Sequence, residues 1–169
     1  MKKRFLGFLA TFCVIGLVAT GCTDTEEIGV TNIDGTEKTS FDLNETAIFE
    51  DVHYTVIDVE YSSGDDFDKP AEGKEYVIVT IKIENKSDSK ISYNELDWKM
   101  LNSLGQEDDT AFAIVDSDTT LSSGDLNADG VKTGTLVFEQ TIDDSSLKLL
   151  YYDNLLFDEN STFDFIITE

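Results

Sequence analysis

The sequence has very little of several residue types on which protein chemistry commonly depends. Its 169 residues include two cysteines, one proline, one histidine and one tryptophan. Two cysteines cannot build a disulfide framework or a cysteine-based metal site. Sites that activate a serine or a zinc ion generally combine a histidine with an orienting carboxylate or with other histidines, and His53 stands alone. We therefore expect no enzymatic activity and a fold held together by its hydrophobic core.

Positive charge is equally scarce. Twelve lysines and arginines stand against 35 aspartates and glutamates, which gives a formal net charge of −23. Nucleic acids and anionic lipid headgroups both need a basic surface, so neither is expected as a partner. Cations, basic peptides and cationic polymers are favoured electrostatically. An acidic surface can also serve only solubility and spacing from an anionic envelope, so charge by itself selects no ligand.

The first 22 residues have the anatomy of an export signal. Three basic residues at positions 2–4 precede an apolar run of about 16 residues, shorter than the ~20 that a membrane-spanning helix needs. The run ends at Ala19-Thr-Gly-Cys22, which resembles the lipobox of bacterial lipoprotein signal peptides. That resemblance implies cleavage between Gly21 and Cys22 and a diacylglycerol on the Cys22 thiol. A transmembrane anchor and an ordinary secreted protein are the alternatives, but neither accounts for a cysteine at position 22.

Lipidation would determine the location of the whole chain. Cys13 would leave with the signal peptide, residues 1–21, and the thiol of Cys22 would be blocked by lipid. We expect a protein held in the cell membrane by its acyl chains, palmitate among them, and exposed on the extracellular face. Residues 23–40 hold only three apolar side chains, too few to bury. The sequence therefore predicts a lipidated cysteine and flexible tether over residues 22–40.

From residue 41 onward the pattern is that of β-strands. In Glu75–Glu84 the apolar side chains at positions 77, 79, 81 and 83 share one face by the period of two. Further strand-like segments lie at 52–61, 96–100, 131–140, 147–152 and 163–167, with a short apolar run at 111–115. Turn-forming residues separate them. About seven strands at this spacing predict one all-β domain over residues 41–169, an immunoglobulin-like antiparallel β-sandwich.

Three blocks of the sequence resemble a lipoprotein family common in Gram-positive bacteria. They are Gly73–Asp88, a long apolar strand with an Asn-containing exit, Leu96–Gln106, and Asp129–Glu139, which holds the pattern Gly-x-x-x-Gly-x-Leu-x-Phe. The resemblance covers residues 44–152, and the order of the blocks is more specific than any one of them. It implies an extracellular immunoglobulin-like (telokin-like) domain of unknown function, related in shape to a mycobacterial secreted immunoprotective protein. The family brings no catalytic residues, and Asp129 stands where it usually has proline.

The sharpest local motif is Asp125–Gly130, which reads D-x-N-x-D-G. In a calcium loop the oxygens of positions 1, 3 and 5 converge on the ion, glycine at 6 makes the turn, and a glutamate at 12 closes the site. Asp125, Asn127 and Asp129 would supply the first three ligands, but position 12 is Leu136 within an apolar strand pattern. Because Asn, Asp and Gly also build ordinary turns, we favour a turn and keep calcium as the alternative.

A second acidic cluster, Asp65, Asp66 and Asp68, lies in the long loop before the central strand. Such a loop can be merely solvated. It can also contact a partner, because loops gather at the ends of a sandwich. Another envelope protein or a basic ligand fits its charge.

The aromatic residues give two structural expectations. Trp98 alternates with Leu96 and Met100, which favours a place in the core. Tyr151 and Tyr152 would point to opposite faces of a strand, so one of them is expected to be exposed.

Together these features predict a lipid-anchored, extracellular binding or accessory module of the bacterial cell envelope. It would act by recognition at its loops or at a sheet edge, without covalent chemistry and without a resident cofactor. A calcium-dependent module is the second reading. A hydrolase based on paired carboxylates is the third, because carboxylates are too abundant for their proximity to be informative.

Overall fold

Strands dominate the parts of the chain that the computed structural model describes, residues 29–113, 119–154 and 159–168. In chain order the strands are β1 (Ser40–Phe41), β2 (Thr46–Phe49), β3 (Val52–Ser62), β4 (Lys74–Asn85), β5 (Ile91–Tyr93), β6 (Trp98–Leu101), β7 (Glu107–Asp108), β8 (Gly124–Leu126), β9 (Val131–Thr141), β10 (Lys148–Tyr151) and β11 (Phe163–Ile166). One turn of 3-10 helix, Glu95–Asp97, begins at Asn94, whose side-chain oxygen accepts a hydrogen bond from the Leu96 N–H at 3.1 Å.

The longest strands form a four-stranded sheet, the main sheet, in the order β2-β3-β4-β9. All its pairs are antiparallel, and β4 is bonded along its length to β3 on one side and to β9 on the other. The two-residue turn Glu50–Asp51 joins β2 to β3 with φ values of 49° and 60°. Two successive positive φ angles match the twist of the flanking strands, as in a type I′ hairpin turn.

A five-stranded sheet in the order β1-β11-β10-β6-β7 covers the main sheet, and β5 and β8 form a separate pair. The prediction of an all-β sandwich is confirmed. One departure concerns β1 and β11, which pair in parallel, with Ser40 opposite Asp164 and Phe41 opposite Phe165. This pairing joins the two extremes of the domain sequence, so no local pattern could predict it.

The core lies between the two sheets and is rich in aromatic rings. Trp98 is 1% exposed, which confirms its predicted place. Its ring lies 4.8 Å from that of Tyr151 and 5.9 Å from that of Tyr54, centroid to centroid. The hydroxyls of Tyr54 and Tyr151 are hydrogen-bonded at 3.2 Å, and burial raises the pKa of Tyr54 to about 12. The pair thus satisfies two polar groups inside an apolar cluster.

The expectation that Tyr151 or Tyr152 would be exposed is wrong. Both are buried, at 8% and 4% exposure. β10 ends at Tyr151, so Tyr152 leaves the strand alternation, and its hydroxyl donates to Glu107 Oε2 at 2.9 Å. That contact lets a polar tip be buried outside the main core.

Residues 29–40 also differ from the flexible tether predicted for them. Val30 is 7% exposed and belongs to the core, and Thr31 exchanges backbone hydrogen bonds with Ile48 of β2 at 3.0 and 2.8 Å. The side chain of Asn32 accepts bonds from the N–H groups of Asp34 and Thr36, which closes a tight turn. One buried side chain and a pairing edge are thus enough to fix this segment against the sandwich.

The first and the last described residues lie at opposite ends of the sandwich. Residues 29–31 run antiparallel to β2 and start near the Glu50–Asp51 turn, which marks the proximal end. The distal end, about 35 Å away along β3, carries the loops 63–73, 102–106 and 142–147. The last described residues also lie there, since the Ile167 N–H donates to the Leu147 carbonyl at 2.9 Å.

Candidate functional site

A β-bulge in β3 decides which side chains reach the outer face of the main sheet. Val56 pairs with Ile81 and Asp58 pairs with Thr80, so Ile57 is an extra residue in the ladder. Strict alternation would place Asp58 on the core face with Val52, Tyr54 and Val56. The bulge reverses the alternation and turns Asp58 outward, with Val59 against the core.

The reversed alternation helps to form a groove on this outer face, about 400 Å³ in volume. Its lining is Asp58, Glu60, Ile78, Thr80, Thr119, Lys132, Thr133, Gly134 and Thr135. Thr80 and Thr135 are directly opposite in the β4–β9 ladder, and so are Glu60 and Ile78 in the β3–β4 ladder. Residues 119–121 run beside β9 and form a wall of the groove. Thr135 Oγ1 donates to Thr119 Oγ1 at 3.1 Å, which holds this segment in place.

Gly134 allows that segment to approach. A Cβ added there would lie 2.6 Å from Leu121 Cα, a distance that a backbone atom cannot accommodate. Leu121 is fully buried, and its N–H donates to the Thr135 carbonyl at 2.9 Å. The close approach therefore seals the edge of β9 and brings Thr119 beside the groove.

The groove carries an excess of negative charge. Asp58 and Glu60 are both exposed, and Lys132 is partly exposed. Among the residues that the structure describes, neither carboxylate has an ion-pair partner. This pair was not among the predicted site residues, although two carboxylates two residues apart inside an apolar strand pattern are a usable signal.

The predicted calcium ligands lie in a segment whose polar groups form hydrogen bonds within the protein. Asp125 is in β8, and its carboxylate accepts from Lys90 Nζ at 2.7 Å and from Ser92 Oγ at 2.9 Å. Those hydrogen bonds, with the lysine charge, lower the pKa of Asp125. Asn127 accepts the Gly130 N–H through its backbone carbonyl, and Asp129 has a φ of 61°. The segment is therefore a turn at the start of β9, the reading that the sequence favoured.

This turn is held by a buried asparagine at the end of β4. The Asn85 backbone donates to the Gly130 carbonyl and accepts from the Asp129 N–H, each at 2.9 Å. Its side chain, fully buried, donates to the carbonyls of Ser89 and Leu126 and accepts from Ser87. Asp129 and Gly130 thus have a structural partner that their spacing alone did not reveal.

The second acidic cluster also forms contacts within its own loop. Asp65 Oδ1 accepts from the N–H groups of Phe67 and Asp68 at 2.7 and 2.9 Å. Asp68 Oδ1 accepts from the Tyr76 hydroxyl at 2.9 Å, while Asp66 lies 3.5 Å from Lys69 Nζ. These contacts leave Phe67 94% exposed at the distal end.

His53 and Asp97 are among the described groups whose pKa values are shifted. Burial lowers the pKa of His53, and Glu84 opposes that shift. Burial raises the pKa of Asp97 to about 6, with a further contribution from Asp153. Within residues 29–113, 119–154 and 159–168, no three His, Cys, Asp or Glu side chains are placed to share a metal ion.

Gly21 and Cys22, the predicted cleavage and lipidation residues, lie outside the described residues. In the part of the chain that is described, no helix is long and apolar enough to cross a membrane.

Comparison with known proteins places the sandwich in a family. Residues 41–162 match the family described as a domain of unknown function, DUF4352. The chain belongs to this family. No curated protein matches the chain. The DUF4352 assignment covers most of the predicted domain and establishes no activity.

Solved structures share the fold of this DUF4352 domain. The yjhA protein of Bacillus subtilis is 22% identical, with a TM-score of 0.55 over 75% of this chain and 96% of that one. The candidate lipoprotein ycdA of the same species is 17% identical, with a TM-score of 0.56 over 79% of this chain and 38% of that one. A conserved hypothetical protein from Bacillus anthracis is 11% identical, with a TM-score of 0.51 over 76% and 95%. These identities establish likeness of fold alone.

Proposed function

We propose that the protein is a lipid-anchored, extracellular binding module of the bacterial cell envelope. The observation that carries the proposal is the Ala19-Thr-Gly-Cys22 sequence, which follows an apolar run and lies N-terminal to a β-sandwich with an open surface groove. The shared fold of the candidate lipoprotein ycdA supports it. The mechanism is recognition, with the telokin-like, immunoglobulin-like sandwich as a scaffold and no covalent chemistry.

The geometry of the described domain is compatible with anchoring at Cys22. Six residues separate Cys22 from Gly29, so the proximal end of the sandwich can lie at most about 25 Å from the lipidated residue. The distal loops then project away from the membrane. They include the loop of Asp65, Asp66 and Asp68, which suits another envelope protein or a basic ligand.

Anchoring is tested on intact cells by comparing the wild type with Cys22→Ala and with Cys13→Ala as the matched control. We expect the wild type and Cys13→Ala to incorporate a labelled fatty acid and to be cleaved by external protease. Cys22→Ala should lose the label and keep the uncleaved signal. Equal labelling of all three proteins would refute lipidation at Cys22.

Binding is tested by cross-linking on the same cells, followed by identification of the companions. We expect one specific companion, lost from Asp65→Asn/Asp66→Asn/Asp68→Asn while the variant stays on the surface. Lys38→Gln/Lys90→Gln, distant from that loop, serves as a control for non-specific capture. A companion list identical for wild type and loop variant would contradict recognition at the distal loop.

A further inference from the structure

The groove on the outer face of the main sheet has features of a ligand site of its own. Its two carboxylates, on Asp58 and Glu60, are unpaired among the described residues, whereas the carboxylates of Asp125 and Asp65 accept hydrogen bonds from the protein. An unpaired carboxylate beside a cavity can accept charge-assisted hydrogen bonds from a ligand. From these features we propose that the groove binds an oligosaccharide of amino sugars with free amines. This inference deepens the proposed function, on which it rests for access to envelope glycans.

The floor of the groove consists of side chains. The backbone of β4 is hydrogen-bonded to β3 and β9 on its two sides, so Ile78 and Thr80 offer no free backbone groups there. An extended peptide that adds a strand to a sheet needs such groups and therefore cannot bind on this floor. Recognition has to use side-chain oxygens and apolar contact.

Those side chains match the chemistry of a sugar. Thr80 and Thr133 present hydroxyls, each of which can donate one hydrogen bond and accept others, whereas the Thr135 hydroxyl, which donates to Thr119, can only accept. A pyranose ring likewise carries several hydroxyls that both donate and accept. Ile78 lies beneath these hydroxyls, 7% exposed in an apolar cluster with Tyr76, Ala113 and Val137, and gives the floor a small apolar edge beside the threonines.

The net negative charge of the groove favours a sugar that carries a free amine. Two carboxylates against the single Lys132 leave the groove net negative, and the whole chain has a net charge of −23. The negative charge of the groove and that of the whole chain both attract an ammonium group and repel acidic sugars. An N-acetylated sugar has the same hydroxyls without the charge, so it should bind more weakly.

The test is calorimetric titration of the full-length chain in detergent micelles with a glucosamine pentasaccharide. Asp58→Asn/Glu60→Gln removes the two groove carboxylates. Glu72→Gln/Asp88→Asn is the matched control, because it removes the same charge from exposed residues outside the groove. We expect the groove variant to bind at least about tenfold more weakly than the wild type, and the control to bind within about twofold. Thermal melts establish that both variants are folded.

Two further ligands separate the sugar from simple charge attraction. The N-acetylated pentasaccharide should bind the wild type at least about tenfold more weakly than the free amine form. Spermine, a linear polyamine, should bind the groove variant and the control equally. Equal loss of pentasaccharide binding in both double variants, or no binding by the wild type, would overturn the proposal.

The outcome is separable from that of the proposed function. Calorimetry does not depend on lipidation, so a failed titration leaves surface anchoring through Cys22 intact. Conversely, unlabelled Cys22 in cells would refute the anchor and leave the affinity of the groove measurable.

Discussion

The two faces of the main sheet are made by the same strands and differ in character, although the outer face also carries a small buried cluster of Tyr76, Ile78 and Val137 with Ala113. On the inner face Val79, Ile81 and Phe138 are completely buried. On the outer face the neighbouring Thr80 and Thr135 line a groove. Successive strand residues point to opposite faces, so a shift of one residue exchanges core and surface. The comparison teaches that a position in the core and a position in the groove are separated here by a single step along the chain.

That separation depends on the bulge at Ile57. Without an extra residue, the alternation of β3 would continue Val52, Tyr54 and Val56 with Asp58, and a carboxylate would enter the core. Burying an unpaired carboxylate costs several kcal/mol, far more than a local break in the ladder. The cost of burying a carboxylate in the core therefore favours the bulge, and the bulge places Asp58 and Glu60 on the outer face, where they line the groove.

The largest effect should come from deleting one residue of β4. Deletion of Thr80 moves one part of the strand to the wrong face, so we expect no cooperative thermal transition by circular dichroism. Deletion of Ile57 removes only the bulge and leaves Asp58 outside and Val59 inside. That variant should melt cooperatively within a few degrees of the wild type, and a failure to fold would contradict the role assigned to the bulge.

Adjacent substitutions in β4 should differ strongly. Ile81→Ala empties space in a fully buried position and should cost about 2–5 kcal/mol of unfolding free energy. Thr80→Ala, one residue away on the outer face, should change it by no more than about 0.5 kcal/mol. Urea denaturation measures both. Comparable losses would show that the outer face also carries the fold.

A smaller effect should appear at Asp97, at the proximal end. Its raised pKa means that the folded state binds the proton more tightly than the unfolded chain. This stabilisation is complete below the unfolded value of 3.8 and is lost as the pH rises through about 6. Because the group is half-exposed, we expect Asp97→Asn to be only about 1 kcal/mol more stable than the wild type above pH 6.

Urea denaturation from pH 3.5 to 8 measures that difference, which should vanish at the acid end of the range. Asp88→Asn, at an exposed position, is the control and should show no such trend. An advantage for Asp97→Asn that is constant with pH would mean that the charge of Asp97 is not its cause.

The smallest effect concerns calcium. Asp125 is already bound by Lys90 and Ser92, so millimolar calcium should leave the melting temperature unchanged relative to EDTA. A rise that Asp125→Ala abolishes would restore the calcium loop. In that case the acidic turn, and not the outer face of the main sheet, would be the principal ion-binding part of the molecule.

Local patterns predicted a large part of this fold. The alternation in Glu75–Glu84 predicted β4 and its buried face, and Trp98 was assigned to the core for the same reason. The resemblance to a lipoprotein family extended over residues 44–152, and the DUF4352 match covers residues 41–162. The predictions for β4 and Trp98 succeeded because strand alternation is a short-range property that the hydrophobic effect acts on directly.

The sequence by itself determined the all-β class, the long strands with their buried faces, the acidic character and the Cys22 motif that motivates the anchor. Only the tertiary structure decided the parallel β1–β11 pair, the docking of residues 29–40, the protein contacts of Asp125 and the outward turn of Asp58. Each of these rests on contacts between residues far apart in the chain. Such contacts depend on how sheets pack and register, which no short window of sequence contains.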